Sequence, residues 1–227
     1  AEADAAQPRR LTVGARGEGK TNGLADYCAQ EEMDRYAGYW LSSDAGLVAF
    51  EEVDERHIPS FRIARHANDP HDSEEFRYPF AGAENPKVRL GVVSTAAGAG
   101  QEARWFDLTG PFGEDFYLAR VDWTPAGAIL AQVQSRDQRD LTILRLDPET
   151  GAATRLMTER NEAWINLHDI LRPLKAGGFL WASEQDGWRH LWVHGDDGSA
   201  ARRLTSGEWL VEELVKLDED HGFAYFM

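Results

Sequence analysis

The stretch from Ala126-Gly127 to Leu141 overlays the stretch from Ala176-Gly177 to Leu191 at a constant offset of fifty positions, without a gap. Each copy then runs into a turn rich in Asp and Gly and a closing strand. The first reads Asp147-Pro148-Glu149-Thr150-Gly151 ahead of Arg155-Leu156-Met157-Thr158; the second reads Asp196-Asp197-Gly198 ahead of Arg203-Leu204-Thr205. Four strands per copy with a period of about 40–50 residues are the signature of propeller blades. One blade cannot bury both of its faces, so a chain of this kind has to stack sheet against sheet. Helical periodicity is nearly absent. The predicted fold is all-β: a partial β-propeller of about four blades of four-stranded antiparallel sheet.

Three blades trace to about residues 38–108, 118–160 and 168–209, with partial blades at 1–30 and 210–227. Arg9-Arg10-Leu11-Thr12 reads as the outermost strand of a preceding blade, and Leu214 to Met227 as the start of a following one. The final strand runs to Phe226-Met227, and the propeller is expected to continue past it. Open blade edges invite pairing between chains, so a homo-oligomer is expected. The first traced blade holds an insertion from about His57 to Asn85, rich in charges and prolines, in which Phe61, Phe76, Tyr78 and Phe80 are candidate apolar contacts. Loops of this length are commonly functional.

With 42% hydrophobic residues in 227, the chain can build a real core. Its 24 basic and 39 acidic residues give a net charge of -15, which repels phosphate backbones and anionic lipid and favours cationic guests. Nucleic acid and membrane are therefore excluded as partners, and no run of about 18 apolar residues is present. Ala1-Glu2-Ala3-Asp4 has neither the basic nor the apolar segment of a signal peptide. The single Cys28 excludes an internal disulfide and reads as a small buried residue of a strand leading to Glu31.

The chemistry concentrates in Gln30-Glu31-Glu32-Met33-Asp34-Arg35-Tyr36, just ahead of Gly38-Tyr39-Trp40. On a strand, Glu31 and Glu32 would point to opposite faces; on a helix they diverge by only about 100° and can lean toward one guest. The pair is therefore predicted on a short helix. Each carboxylate can accept charge-assisted hydrogen bonds from an amine, worth roughly 1.5–3 kcal/mol apiece where water is thinned, so a peptide's free N-terminus suits them.

Around that pair stand Thr21-Asn22-Gly23-Leu24-Ala25, Tyr78-Pro79-Phe80-Ala81-Gly82, Asn85-Pro86-Lys87-Val88, Trp164-Ile165-Asn166-Leu167-His168-Asp169 and Trp188-Arg189-His190-Leu191. With Glu31 to Tyr36 and Gly38 to Trp40, these words resemble the N-terminal β-propeller of the dipeptidyl peptidase IV family of serine peptidases, over nearly the whole chain. The resemblance implies that Glu31 and Glu32 bind the substrate's α-amino group. It also implies that His168 and Asp169 border the substrate cavity, and that an arm in the 57–85 insertion helps to build a homodimer. It implies a parent enzyme that releases dipeptides with Pro or Ala in second position, exported to the periplasm or beyond, its catalytic α/β-hydrolase domain lying past Met227. Asp26-Tyr27 stands where the family often has Asp-Trp, and Gln30 where some members carry a third Glu. No cofactor is implied.

Other motifs yield to local physics. Gly14 to Thr21 fits the phosphate-loop pattern G-x-x-x-x-G-K-[ST], but that chemistry needs a helix starting at the Lys, and Asn22-Gly23 breaks one. A Gly-rich connection between strands is expected there. His66, Asp69, His71 and Asp72 lack rigid metal-site spacing, and Asn68-Asp69-Pro70 marks a turn. His168, Asp169, Arg189 and His190 are also suited to organising hydrogen bonds within blades. Trp123, Trp181 and Trp192 fall on strand positions that pack between blades. No nucleophile elbow G-x-S-x-G occurs in these residues, so this segment by itself is expected to hydrolyse nothing. A non-catalytic propeller acting as an interaction or sensor module stands as the alternative reading.

Overall fold

The computed structural model describes residues 8–15, 17, 19–65, 72–96, 101–199 and 202–227. The chain divides into two units, residues 1–105 and 106–227. It is all-β, with several antiparallel sheets of four-stranded type that make it a partial β-propeller, and a single six-residue helix among the described residues.

In the first unit the elements are β1 (Lys20–Asn22), α1 (Tyr27–Glu32), β2 (Tyr39–Leu41), β3 (Leu47–Asp54), β4 (Ser60–Ala64), β5 (Ser73–Arg77), β6 (Lys87–Ser94) and β7 (Arg104–Trp105). β3 pairs with β6, and β6 with β7. The opposite edge of β3 is covered by two short strands end to end: β1 sets Asn22 against Glu52, and β2 sets Tyr39 against Phe50. Their registers run on continuously, so the two act as one row of the sheet interrupted by residues 23–38. Glu51 lies at the break. The helix α1 rides on that excursion.

The sequence places residues 1–30 ahead of the first blade. In the structure Arg9 to Thr12 forms no strand, and Lys20–Asn22 joins the first sheet, pairing with a strand some thirty residues later. Three polar residues carry no alternation from which such a strand could be read. The connection before β1 turns on Gly14, Gly17 and Gly19, whose φ values of 82°, 75° and 81° suit residues without a Cβ. Lys20 is in a strand and not at a helix start, which removes the geometry a phosphate loop requires. Arg16 and Glu18 of that motif, and His66, Asp69 and His71 of the sketched metal cluster, lie outside the described residues.

β4 and β5 form a separate two-stranded hairpin within the 57–85 insertion. Phe61, Ile63, Phe76, Tyr78 and Phe80 are exposed on it. Edge contacts run from Phe61 to Phe80 at 5.8 Å, from Phe80 to Tyr78 at 4.9 Å, and from Tyr78 to Tyr27 of α1 at 5.1 Å.

The second unit is more regular. β8 (Phe116–Trp123), β9 (Ile129–Ser135), β10 (Asp140–Leu146) and β11 (Ala153–Arg160) form one meander. β12 (Arg172–Pro173), β13 (Phe179–Ser183), β14 (His190–His194) and β15 (Arg202–Arg203) form the next, and β16 (Leu214–Asp218) pairs with β17 (Phe223–Phe226). The fifty-residue offset survives in the strands: β9 and β13 start at 129 and 179, β10 and β14 at 140 and 190. Alternation then sorts the side chains. Phe179 and Trp181 face a core with Leu130, Leu141 and Ile143 of the preceding sheet, while Leu180 and Ala182 face Leu191, Val211 and Leu214. Each fully buried side chain of this kind contributes about 1.5–3 kcal/mol.

Candidate functional site

A six-residue helix is far below the length that holds itself together in water, so α1 depends on its surroundings. Asp26 caps it: its Oδ1 accepts from the N–H groups of Cys28 at 2.9 Å and Ala29 at 3.2 Å. The C-terminal end closes on Ala29, whose carbonyl accepts from the N–H of Met33 at 3.2 Å and of Arg35 at 3.1 Å. Between those two residues Asp34 adopts φ 53°, a conformation that short polar side chains tolerate and that stops the helix. Ala29 and Met33 are buried, while Glu31 and Glu32 are exposed on the last turn. The helix predicted for the acid pair is present. Cys28 differs from its expected place in a strand: it sits in the first turn of α1, half-buried, with Sγ 3.7 Å from Asn85 Oδ1.

The excursion is closed at its neck. Gly23 N–H donates to the Glu51 carbonyl at 2.8 Å, Glu51 N–H donates to the Gly38 carbonyl at 2.7 Å, and Gly38 N–H donates to the Gly23 carbonyl at 3.2 Å. Leu24 and Ala37 form an antiparallel bridge just beyond. Inside the loop, the Arg35 guanidinium donates to Glu51 Oε2 at 2.5 Å and to the Ala37 carbonyl at 3.2 Å. It lies 4.0 Å from Asp26 Oδ2 and 5.6 Å from the centre of the Trp40 ring. Glu51 is fully buried, and its Oε1 has no hydrogen-bond partner among the described residues. Burial pushes its pKa up to about 7 against the pull of Arg35. Sequence reasoning assigned no role to Asp26, Arg35 or Glu51. The readable signal was Glu51-Glu52 in the otherwise apolar strand Leu47–Val53. Glu52 is the simpler case, paired with Lys20 at 3.1 Å and Arg89 at 3.3 Å.

His168 and Asp169 lie in the second unit. The N–H of Ile170 donates to His168 Nδ1 at 3.2 Å, which leaves the proton on Nε2 to be donated to the Ala182 carbonyl at 2.8 Å. The ring lies 4.4 Å from that of Trp181, and burial lowers its pKa to about 4, so it is neutral at pH 7. The hollow beside it, lined by Glu159, Asn166 and Glu184 among others, measures about 10 Å³, room for no more than a water molecule. Asp169 is exposed and accepts from Arg120 Nε at 2.6 Å. Arg189 holds Glu184 at 2.9 Å, and His190 bridges Thr205 and the Gly207 carbonyl. The latter two organise the third sheet.

The chain matches, over the whole of residues 1–227, the family model of the dipeptidyl peptidase IV (DPP IV) N-terminal region. The chain belongs to the dipeptidyl peptidase IV family. Among curated relatives, a probable dipeptidyl peptidase 4 of Aspergillus clavatus is 27% identical over 226 residues, covering 91% of this chain and 28% of that protein. Dipeptidyl peptidase 8 of Mus musculus is 29% identical over 217 residues, covering 76% of this chain and 24% of that protein. The crystal structure of Porphyromonas gingivalis dipeptidyl peptidase 4 superposes with a TM-score of 0.81 at 25% identity, covering 92% of this chain and 29% of that one. The chain therefore spans about a quarter to a third of the length of these relatives, as the N-terminal region of a dipeptidyl peptidase IV family protein.

Proposed function

We propose that this chain is the substrate-recognition propeller of a serine-type dipeptidyl peptidase, in which Glu31 and Glu32 hold the α-ammonium of a peptide. The enzyme releases N-terminal dipeptides with Pro or Ala in second position, and its nucleophile is carried by a separate α/β-hydrolase domain. One observation carries the reading. Two adjacent carboxylates are exposed on a helix inserted into the first row of a sheet, while the charged groups beneath that helix are buried. In a propeller the first strand of a blade is the innermost, so an insertion in that row opens toward the central hollow where a substrate can lie. Holding the ammonium there fixes how many residues fit before the scissile bond, which turns binding energy into positioning. The reading also takes His168 and Asp169 as substrate-side residues, as the family resemblance implies: Asp169 is exposed and held by Arg120, and His168 is a fixed neutral ring.

The same reading takes the β4–β5 hairpin as an arm that pairs two copies of the protein through Phe61, Phe76, Tyr78 and Phe80. The test is kinetic. In the full-length protein, Glu31→Gln or Glu32→Gln is expected to lower kcat/KM for free-amine dipeptide substrates roughly 100-fold, the loss of a charge-assisted contact made by a cation. Near-normal kinetics in both variants would remove the acid pair from substrate binding. A full-length protein without peptidase activity would instead favour a non-catalytic interaction module.

A further inference from the structure

We infer that Arg35 and Glu51 are positioning residues that set where the acid pair of α1 points, an inference that rests on the amine-binding role of Glu31 and Glu32. The excursion from residue 23 to residue 38 is tied to the sheet around one residue of β3. The main chain of Glu51 closes the neck, accepting from Gly23 and donating to Gly38, and its side chain reaches inside the loop to the Arg35 guanidinium. Arg35 in turn contacts three different parts of the loop. Its main-chain N–H binds the Ala29 carbonyl at the end of α1, one guanidinium nitrogen binds the Ala37 carbonyl, and the other lies 4.0 Å from the carboxylate of Asp26, which caps the start of α1. Both ends of the helix are thus referred to a single residue, the far end through its main chain and the start through its guanidinium, and that guanidinium to a single carboxylate of the central strand.

This arrangement is more than a stabilising pair. A buried ion pair is a poor source of stability, because desolvation offsets most of the attraction, but it fixes geometry in a way apolar packing does not. The planar fork of arginine is what lets one side chain address Glu51 and Ala37 with one nitrogen and Asp26 with the other; a lysine ammonium can keep the charge but not the directions. Neither Arg35, 8% exposed, nor Glu51, 0% exposed, can reach a substrate itself, so any effect on amine recognition must pass through α1.

The experiment compares Arg35→Met, Arg35→Lys and the double variant Arg35→Met/Glu51→Leu in the full-length protein. Two substrates are used: a free-amine dipeptide anilide, and p-nitrophenyl acetate, an activated ester with no ammonium group. For Arg35→Met the ratio of kcat/KM on the anilide to that on the ester is expected to fall roughly 100-fold, mostly through KM, as a misplacement of about 1 Å would produce. Arg35→Lys is expected to recover part of the ratio. The double variant, whose buried groups are both apolar, is expected to regain the wild-type melting temperature while keeping the lowered ratio. Equal losses on the two substrates in Arg35→Met, or a double variant that recovers the ratio together with its melting temperature, would show a merely structural role and overturn the proposal. A silent Arg35→Met beside strongly impaired Glu31→Gln and Glu32→Gln overturns the positioning role alone, whereas silent glutamine variants remove the amine-binding reading beneath it.

Discussion

The two units bury different kinds of polar side chain. In residues 106–227 the buried polar groups are Gln132, Gln134, Ser135, Thr142, Ser183 and His190, whereas in residues 1–105 they are Asp26, Arg35, Glu51 and Glu52. The fully buried polar groups of the regular sheets are neutral, while their carboxylates Asp122 and Glu159 are only partly buried, although burial still raises the pKa of each. The first sheet breaks one of its rows to carry a helix, and it is at the break that full charges are buried. Burying a charge is costly unless it is paired, so its concentration around an insertion marks where geometry, and not stability alone, is being specified.

The largest difference should show in a core substitution of the regular unit. Trp181 is 1% exposed, lies in the core between two sheets, and donates from Nε1 to Glu159 Oε2 at 2.7 Å. Trp181→Ala is expected to destabilise by about 3–5 kcal/mol, because it opens a cavity and takes one partner from a carboxylate that burial already pushes up. Hydrogen exchange of the β9, β10 and β13 amides measures it. A loss under 1 kcal/mol would mean that the regular unit does not rest on its apolar core.

The buried carboxylate Glu51 of the first unit and the buried ring of His168 in the second predict opposite dependences on pH. Glu51 has a folded-state pKa of about 7, above its ordinary 4.5, with Arg35 and Asp26 the charged groups facing it. Below 4.5 it is protonated whether folded or not; between 4.5 and 7 only the folded form keeps the proton. The stability of the first sheet should therefore fall as pH rises through that window, by about 3 kcal/mol, and Glu51→Gln should abolish that slope. His168 gives the opposite sign. Its folded-state pKa of about 4 lies below the ordinary 6.5, so stability is lost as pH falls from 6.5 toward 4, and His168→Gln should remove that loss. Exchange rates of β3 and β13 amides, followed from pH 4 to pH 8, separate the two. Slopes of the same sign would contradict the assigned causes.

The sequence is legible where structure repeats. The offset of fifty set the strand starts of β9, β10, β13 and β14, because period-two alternation between Gly- and Asp-rich turns survives in each copy. The helix under Glu31 and Glu32 was legible too, since adjacent residues of a strand cannot share a guest. What was hidden is long-range and polar. β1 has no apolar residue to announce it, and its partner lies thirty residues away across α1. Arg35 reads as one more surface charge in a charged run until folding brings it against Glu51, and Cys28 reads as part of a strand until Asp26 caps the helix that holds it. The role proposed for the acid pair rests on the words around it and on the chemistry of ammonium binding, not on spacing alone.

The smallest effects separate two glycines. Gly127, in the β8–β9 turn, has φ +87° and open space where a Cβ would stand. Gly127→Ala should cost only the strain of a left-handed alanine, about 1 kcal/mol, and leave recognition of a free amine untouched. Gly38 has an ordinary φ, but a Cβ there would lie 2.8 Å from the carbonyl carbon of Leu24 and 2.9 Å from its oxygen, with main chain and not a flexible side chain in the way. Gly38→Ala must push apart the neck that Gly23, Gly38 and Glu51 close, at a cost of about 1–3 kcal/mol, comparable with or slightly above that of the turn variant. The stabilities barely distinguish the two substitutions; function should. If the neck sets the direction of α1, Gly38→Ala raises KM for free-amine substrates in the full-length protein and Gly127→Ala does not. Equal KM values in the two variants would mean that the neck holds the loop without aiming it.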